Sequence, residues 1–123
     1  MSKTSTKALD EFDRWSKEVK RGAASLAILS VLEIESNYGY EIVNALKRKG
    51  ADFLAFEEGT VYPLLKRLEQ RGLLMAEWNY DDPAKPRKYY VTTPEGREVL
   101  QLMKDKWTQL GQEMERILEG DAL

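Results

Sequence analysis

The chain has 123 residues, carries 19 Lys/Arg against 21 Asp/Glu for a net charge of −2, and contains neither cysteine nor histidine. That length suits one hydrophobic core, burying roughly two-thirds of the surface an unfolded chain exposes, and leaves little room for a second domain. The two missing residue types exclude disulfides, thiolate chemistry, imidazole general bases and most zinc sites, a composition compatible with a reducing compartment.

MSKTSTK at the start lacks the apolar stretch of a signal peptide, so the expected location is cytoplasmic. Over residues 5–20, Leu9, Phe12, Trp15 and Val19 recur at intervals of three, three and four, the spacing of one helix face. Ser5 or Thr6 is the expected cap and Gly22 the expected stop. A Phe–Trp pair on a short amphipathic arm needs a covering surface, and a helix of a second subunit suits it better than a ligand.

Residues 23–34, AASLAILSVLEI, are apolar nearly all round, which marks a helix at the centre of the core. Ser25, Ser30 and Glu33 interrupt the run, and it falls short of the ~20 residues of a membrane span. SNYG (36–39) reads as a turn. A second amphipathic helix follows, with Ile42, Val43 and Leu46 inward and Glu41, Asn44, Lys47 and Arg48 outward. Lys47, Arg48 and Lys49 precede Gly50 and read as a basic cap on the negative helix end, in preference to a DNA contact.

After a connector at 51–58 comes a third helix. Pro63 lacks an N–H and is expected within the first turn, so the helix must begin within a few residues of Thr60. Val61, Leu64, Leu65 and Leu68 form its core face, leaving Thr60, Tyr62, Lys66, Arg67 and Gln70 for solvent or a partner, and Gly72 closes it. The plainer reading of Lys66, Arg67 and Arg71 is a solvated face paired with Glu69 or Glu77. Two β-rich stretches follow at 73–80 and 87–93, joined by a turn at 81–86. Lys85, Arg87 and Lys88 cluster on the far shoulder of that turn, placed for phosphates or a minor groove, while Asp81 and Asp82 oppose such an approach.

Thr93 caps the last helix, with Pro94 at its first position, and the helix is expected to run to about Glu119. Leu100, Met103, Trp107, Leu110, Met114 and Ile117 fall at intervals of 3, 4, 3, 4 and 3, a heptad seam that asks for a helix from a second copy. Charge is unevenly spread. Residues 1–22 carry six Lys/Arg against four Asp/Glu and 60–93 carry six against four, whereas 23–59 carry three against six and 94–123 four against seven. Positive charge therefore gathers in the N-terminal arm and in the third helix with its hairpin, a weak footprint of the right sign for phosphate.

A helix followed by a basic hairpin is the outline of a winged helix-turn-helix, and here the motifs become specific. YGYEI (38–42), GTVYPLLKRLEQRGLL (59–74) and PRKYYVTTPEG (86–96), in this order, resemble the PadR family of bacterial transcriptional regulators, over most of the chain from about residue 22 to 120. The resemblance implies a mainly α fold with a small β hairpin: a winged helix-turn-helix with additional N-terminal and C-terminal dimerisation helices. The expected division is an N-terminal arm at 1–22, a DNA-binding unit at 23–93 and a dimerisation helix at 94–123. It implies a homodimer, mostly a repressor in this family, on palindromic double-stranded operator DNA.

The DNA-contacting set is then Tyr38, Tyr40, Thr60, Tyr62, Pro63, Lys66 and Arg67, with Lys85, Arg87 and Lys88 on the wing. The dimer interface is expected at Leu9, Phe12, Trp15, Leu100, Met103, Trp107, Leu110, Met114 and Ile117. In drug-responsive relatives an aromatic of the C-terminal helix lines a cavity between subunits. Trp107 resembles its counterpart, so Trp107 and Trp15 are candidates for an aromatic small-molecule effector, although the seam alone accounts for both. Catalysis is not expected: Glu57-Glu58 and Asp81-Asp82 are adjacent pairs in connector and turn, and no P-loop, zinc spacing, calcium loop or dinucleotide fingerprint occurs, so no cofactor or metal is implied. Two other readings are a winged-helix protein-interaction module and a small-molecule sensor without a DNA role.

Overall fold

The computed structural model describes residues 3–50 and 52–120. Residues 1, 2, 51 and 121–123, which the sequence reading assigned to the N-terminal arm, the connector and the C-terminal dimerisation segment, lie outside the described residues.

Helix α1, Thr6–Ile34, opens with the Ser5 hydroxyl accepting the Ala8 N–H at 3.1 Å. It runs for 29 residues without the expected stop at Gly22. A glycine ends a helix most readily in the left-handed region, and positive φ occurs at only two described glycines, Gly72 and Gly120. Gly22 inside a helix costs about 1 kcal/mol against alanine. Full burial of Ile28, Leu29 and Leu32 on its C-terminal side outweighs that cost at ~1.5–3 kcal/mol each.

The turn expected at 36–39 is instead a two-residue strand, β1 (Asn37–Tyr38), leading directly into α2 (Gly39–Gly50). Helix α3, Glu58–Gln70, begins two residues before Thr60, and Pro63 is its sixth residue, not a first-turn residue. The missing N–H there leaves the Gly59 carbonyl without its helical donor, and the exposure of both residues gives water that role. Strands β2 (Leu74–Asn79) and β3 (Arg87–Thr92) pair antiparallel from Leu74↔Thr92 to Asn79↔Arg87, and β1 joins the other edge of β3 through Asn37↔Tyr90 and Tyr38↔Tyr89. The sheet order is β1-β3-β2. Helix α4, Pro94–Leu118, completes the described fold, which is mainly helical with a small antiparallel sheet, as the sequence predicts.

One core joins these elements: Ile28, Leu29 and Leu32 of α1, Ile42 and Val43 of α2, Val61, Leu65 and Leu68 of α3, with Leu74 and Leu100 from the sheet and α4. The Thr92 hydroxyl donates to the Leu29 carbonyl at 3.2 Å, satisfying a buried polar group where the sheet meets α1. Two glycines are required by geometry. Gly72 (φ 78°) closes α3, with its own N–H on the Glu69 carbonyl at 3.0 Å and the Leu73 N–H on Leu68 at 2.9 Å. Gly96 lets the first turn of α4 lie against the Leu73 carbonyl, where any Cβ would collide.

Leu100, assigned from the heptad seam to a subunit interface, is instead 0% exposed within its own chain. The first turns of α4 pack on the α1 core, so Leu100 is spent there and Met103 packs partly against the same cluster. The rest of the seam, Trp107, Leu110, Met114 and Ile117, is exposed, as are Leu9, Phe12 and Trp15 on α1. Among the described residues no helix is long and apolar enough to cross a membrane.

Candidate nucleic-acid interface

Helix α3 presents the two faces that its periodicity predicts. Val61, Leu64, Leu65 and Leu68 are buried, while Thr60, Tyr62, Pro63, Lys66, Arg67 and Gln70 are exposed along one side. The helix projects this polar face because its apolar stripe is held by α1, α2 and β2. Tyr62 is positioned by the preceding helix. Its ring lies directly over Gly39, the first residue of α2, so closely that a Cβ at Gly39 would overlap the ring. This contact joins the YGYEI and GTVYP motifs physically. Partial burial pushes the Tyr62 phenol above its ordinary value, and the Glu58 carboxylate adds to the shift, so the hydroxyl stays neutral and able to donate. Tyr40 stands exposed nearby on α2.

Lys66, Arg67 and Arg71 form no ion pair with Glu69 or Glu77 among the described residues. Their charges remain available to a partner. A helix face bearing Thr60 and Tyr62 near its start and Lys66 and Arg67 farther along fits a major groove, where Lys and Arg reach guanine edges or phosphates.

The hairpin of β2 and β3 stands beside this face. In its loop, Asp82 Oδ1 accepts the Ala84 N–H at 3.1 Å, the Asp82 carbonyl accepts from Lys85 at 2.9 Å, and Asn79 Oδ1 accepts the Asp81 N–H at 2.8 Å. Asp82 therefore shapes the turn, a local task that accounts for an acid at the wing tip. Lys85 is exposed on the turn without an ion-pair partner among the described residues.

The other two wing cations are engaged. The Arg87 guanidinium lies 4.5 Å from the Tyr38 ring centroid, and Tyr38 in turn packs on Tyr89 at 5.3 Å. The Lys88 ammonium bonds Glu69 Oε1 at 2.8 Å and stands 5.3 Å from the Tyr90 ring. The hydrogen bond to Glu69 raises the Lys88 pKa above the ordinary lysine value. Neither arrangement is legible in the sequence. Glu69 and Lys88 are 19 residues apart, and only the strand register and the tight turn after α3 bring them together.

The aromatic pair nominated for a ligand is not assembled within one chain. Trp15 packs against Phe12 in a tilted pair with centroids 5.9 Å apart. Trp107 instead lines a shallow cleft of about 170 Å³ with Gly22, Leu26, Met103, Lys106 and Leu110. No group of His, Cys, Asp or Glu among the described residues is arranged to hold a metal.

Comparison with known proteins places this geometry in context. The profile of the "Transcriptional regulator PadR-like family" matches residues 28–102, from the core half of α1 to the start of α4. A transcriptional regulator from Mycobacterium tuberculosis is 36% identical over 84 residues, covering 68% of this chain and 75% of the relative. The crystal structure of a PadR family transcriptional regulator from Eggerthella lenta superposes with a TM-score of 0.83 at 37% identity, covering 95% of this chain and all of that one. A PadR-like transcription factor from Bacteroides fragilis gives 0.70 at 32% identity over 85% of this chain and 98% of its own.

Proposed function

This chain belongs to the PadR-like family of transcriptional regulators, and from that premise we propose that it works in the cytoplasm as a homodimeric repressor on a palindromic operator, released by a signal or small molecule. The observation that carries the reading is the exposed row of Thr60, Tyr62, Lys66 and Arg67 on α3, its cations unpaired among the described residues, next to a wing that carries Lys85. Helix α3 enters the major groove, and Tyr40 and Lys85 hold the flanking backbone. Two such units related by a two-fold axis read half-sites one or more helical turns apart, about 34 Å per turn. The reading assigns the chain no reaction.

Dimerisation rests on Trp107, Leu110, Met114 and Ile117 of α4 and on Leu9, Phe12 and Trp15 of α1. All are large apolar side chains between 43% and 71% exposed. Covering them in both copies contributes on the order of ten kcal/mol before association costs. Trp107 at the edge of an apolar cleft supports a second role, as a surface for a planar aromatic effector between subunits.

The test is fluorescence anisotropy of Lys66→Ala and Arg67→Ala on the DNA upstream of the protein's own gene. Each variant should keep the wild-type melting temperature and bind more weakly, with the slope of log affinity against log salt reduced by about 1 per lost phosphate contact. Unchanged affinity in both variants would move recognition off α3.

A further inference from the structure

We propose that the Lys88–Glu69 ion pair is a brace that fixes the angle between the wing and the recognition helix, making Lys88 a positioning residue for operator discrimination and not a phosphate ligand. The inference rests on the DNA-binding reading above and adds the device that sets its geometry.

The connection between α3 and the hairpin is short and built to turn. Helix α3 ends at Gln70, the chain reverses through Arg71 and Gly72 (φ 78°), and β2 begins at Leu74. Nothing in that turn reaches the far end of the hairpin. Leu74, Tyr90 and Thr92 anchor the base and middle of the hairpin in the core, and a direct tie to α3 nearer the loop further fixes the angle between wing and helix.

Lys88 supplies it. In the register it lies opposite Trp78, one residue pair short of the Asn79↔Arg87 pair that ends the ladder before the loop. Glu69 lies on the last turn of α3. Their 2.8 Å contact bridges the recognition helix and the loop-side end of the hairpin ladder, whereas the other ion pairs among the described residues lie within α1 or join α1 to α4. Both side chains are only about one-third exposed, at 33% and 32%, so their carbon stems are partly packed against the protein. Tyr90, a core residue on the same face of β3, lies under the ammonium.

A phosphate approaching this ammonium would meet the Glu69 carboxylate already bonded to it, and two anions there repel. Lys66 and Arg67 on α3 and Lys85 beyond the brace carry no such partner among the described residues. The brace thus sets the offset between the groove contacts of α3 and the backbone contact of the wing, and operator preference depends on that offset.

Charge reversal separates this role from a direct contact. Anisotropy titrations with the duplex upstream of the protein's own gene and with a scrambled duplex give an operator-to-scrambled affinity ratio for each variant. The brace predicts that Lys88→Glu and Glu69→Lys each lower this ratio by roughly tenfold, that the double swap restores it to within about threefold, and that Lys88→Arg keeps it. Glu69→Lys is the decisive single variant, because it adds positive charge next to DNA and yet should lose preference.

If Lys88 were a phosphate ligand, Lys88→Glu would weaken both duplexes alike, Glu69→Lys would tighten both alike, and the ratio would stay constant throughout. That outcome overturns the brace, as does a double swap no better than Lys88→Glu while its melting curve matches wild type. Wild-type protein showing no preference between the two duplexes overturns the DNA-binding reading itself, and the brace with it.

Discussion

Replacing Gly96 with alanine tests the packing argument most severely. The new methyl group would fall well inside van der Waals contact of the Leu73 carbonyl oxygen and 2.7 Å from Thr92 Cγ2. The obstacle is largely backbone, so no rotamer change relieves it. Either the 71–73 turn or the first turn of α4 must shift by roughly 1 Å, an overpacking cost of about 1–3 kcal/mol. The same Leu73 carbonyl accepts the Thr93 N–H at 3.1 Å, and disturbing that bond adds about 1 kcal/mol. Alanine's better helix propensity offsets up to ~1 kcal/mol, leaving a net loss of about 1–3 kcal/mol.

With about 2.1 cal/mol/K of unfolding entropy per residue, a chain of this length loses roughly 4–12 °C of melting temperature. Circular dichroism melts at one fixed protomer concentration measure this, because melting of an oligomer depends on concentration. Gly59→Ala is the control. It is a helical glycine with nothing within 4 Å of the added Cβ, and it should raise the melting temperature by about 2–4 °C. Gly96→Ala melting within 2 °C of wild type would refute the reasoning.

Leu65, fully buried where α3 meets the core, should cost about 2–5 kcal/mol on Leu65→Ala, read from urea midpoints at unchanged slope. Lys88 has its pKa raised in the folded state, so its stabilisation is present below the ordinary lysine pKa near 10.5 and is lost as pH rises through the higher folded value. Alkaline melts should therefore fall more steeply for wild type than for Glu69→Gln, and identical curves would contradict the ion pair. Leu110, about half exposed on α4, should convert dimer to monomer at micromolar concentration when changed to Glu, as seen by sedimentation equilibrium. A dimeric Leu110→Glu variant would place the interface elsewhere.

Elements with long regular periods were legible in the sequence. The α3 face and α4 with its Thr93 cap follow from spacing and cap chemistry, and the two long strands from their β-rich residues; the cap is present with Thr93 Oγ1 accepting from Gly96 at 3.0 Å. The features that escaped are those decided by tertiary contact. A two-residue strand has no period to detect, and β1 exists because β3 offers it an edge. Helix α1 continues past Gly22 because core burial on one side outweighs a local breaker. Leu100 matches the heptad seam as well as its neighbours do, and only the approach of α1 assigns it to the core. At the candidate site, the identity of the α3 face was readable. The engagement of Arg87 by Tyr38 and of Lys88 by Glu69 was not, because charge counting treats every cation on a turn as free.

The central claim is sequence-specific DNA binding through α3 and the wing. Its most direct test is a titration of the purified protein against the DNA upstream of its own gene and a scrambled duplex of equal length, at 50 and 200 mM salt. Six to ten phosphate contacts per dimer predict tight, sequence-dependent binding that weakens by roughly 10³–10⁵ between the two salt concentrations. Equal, weak binding to both duplexes with little salt dependence would contradict it.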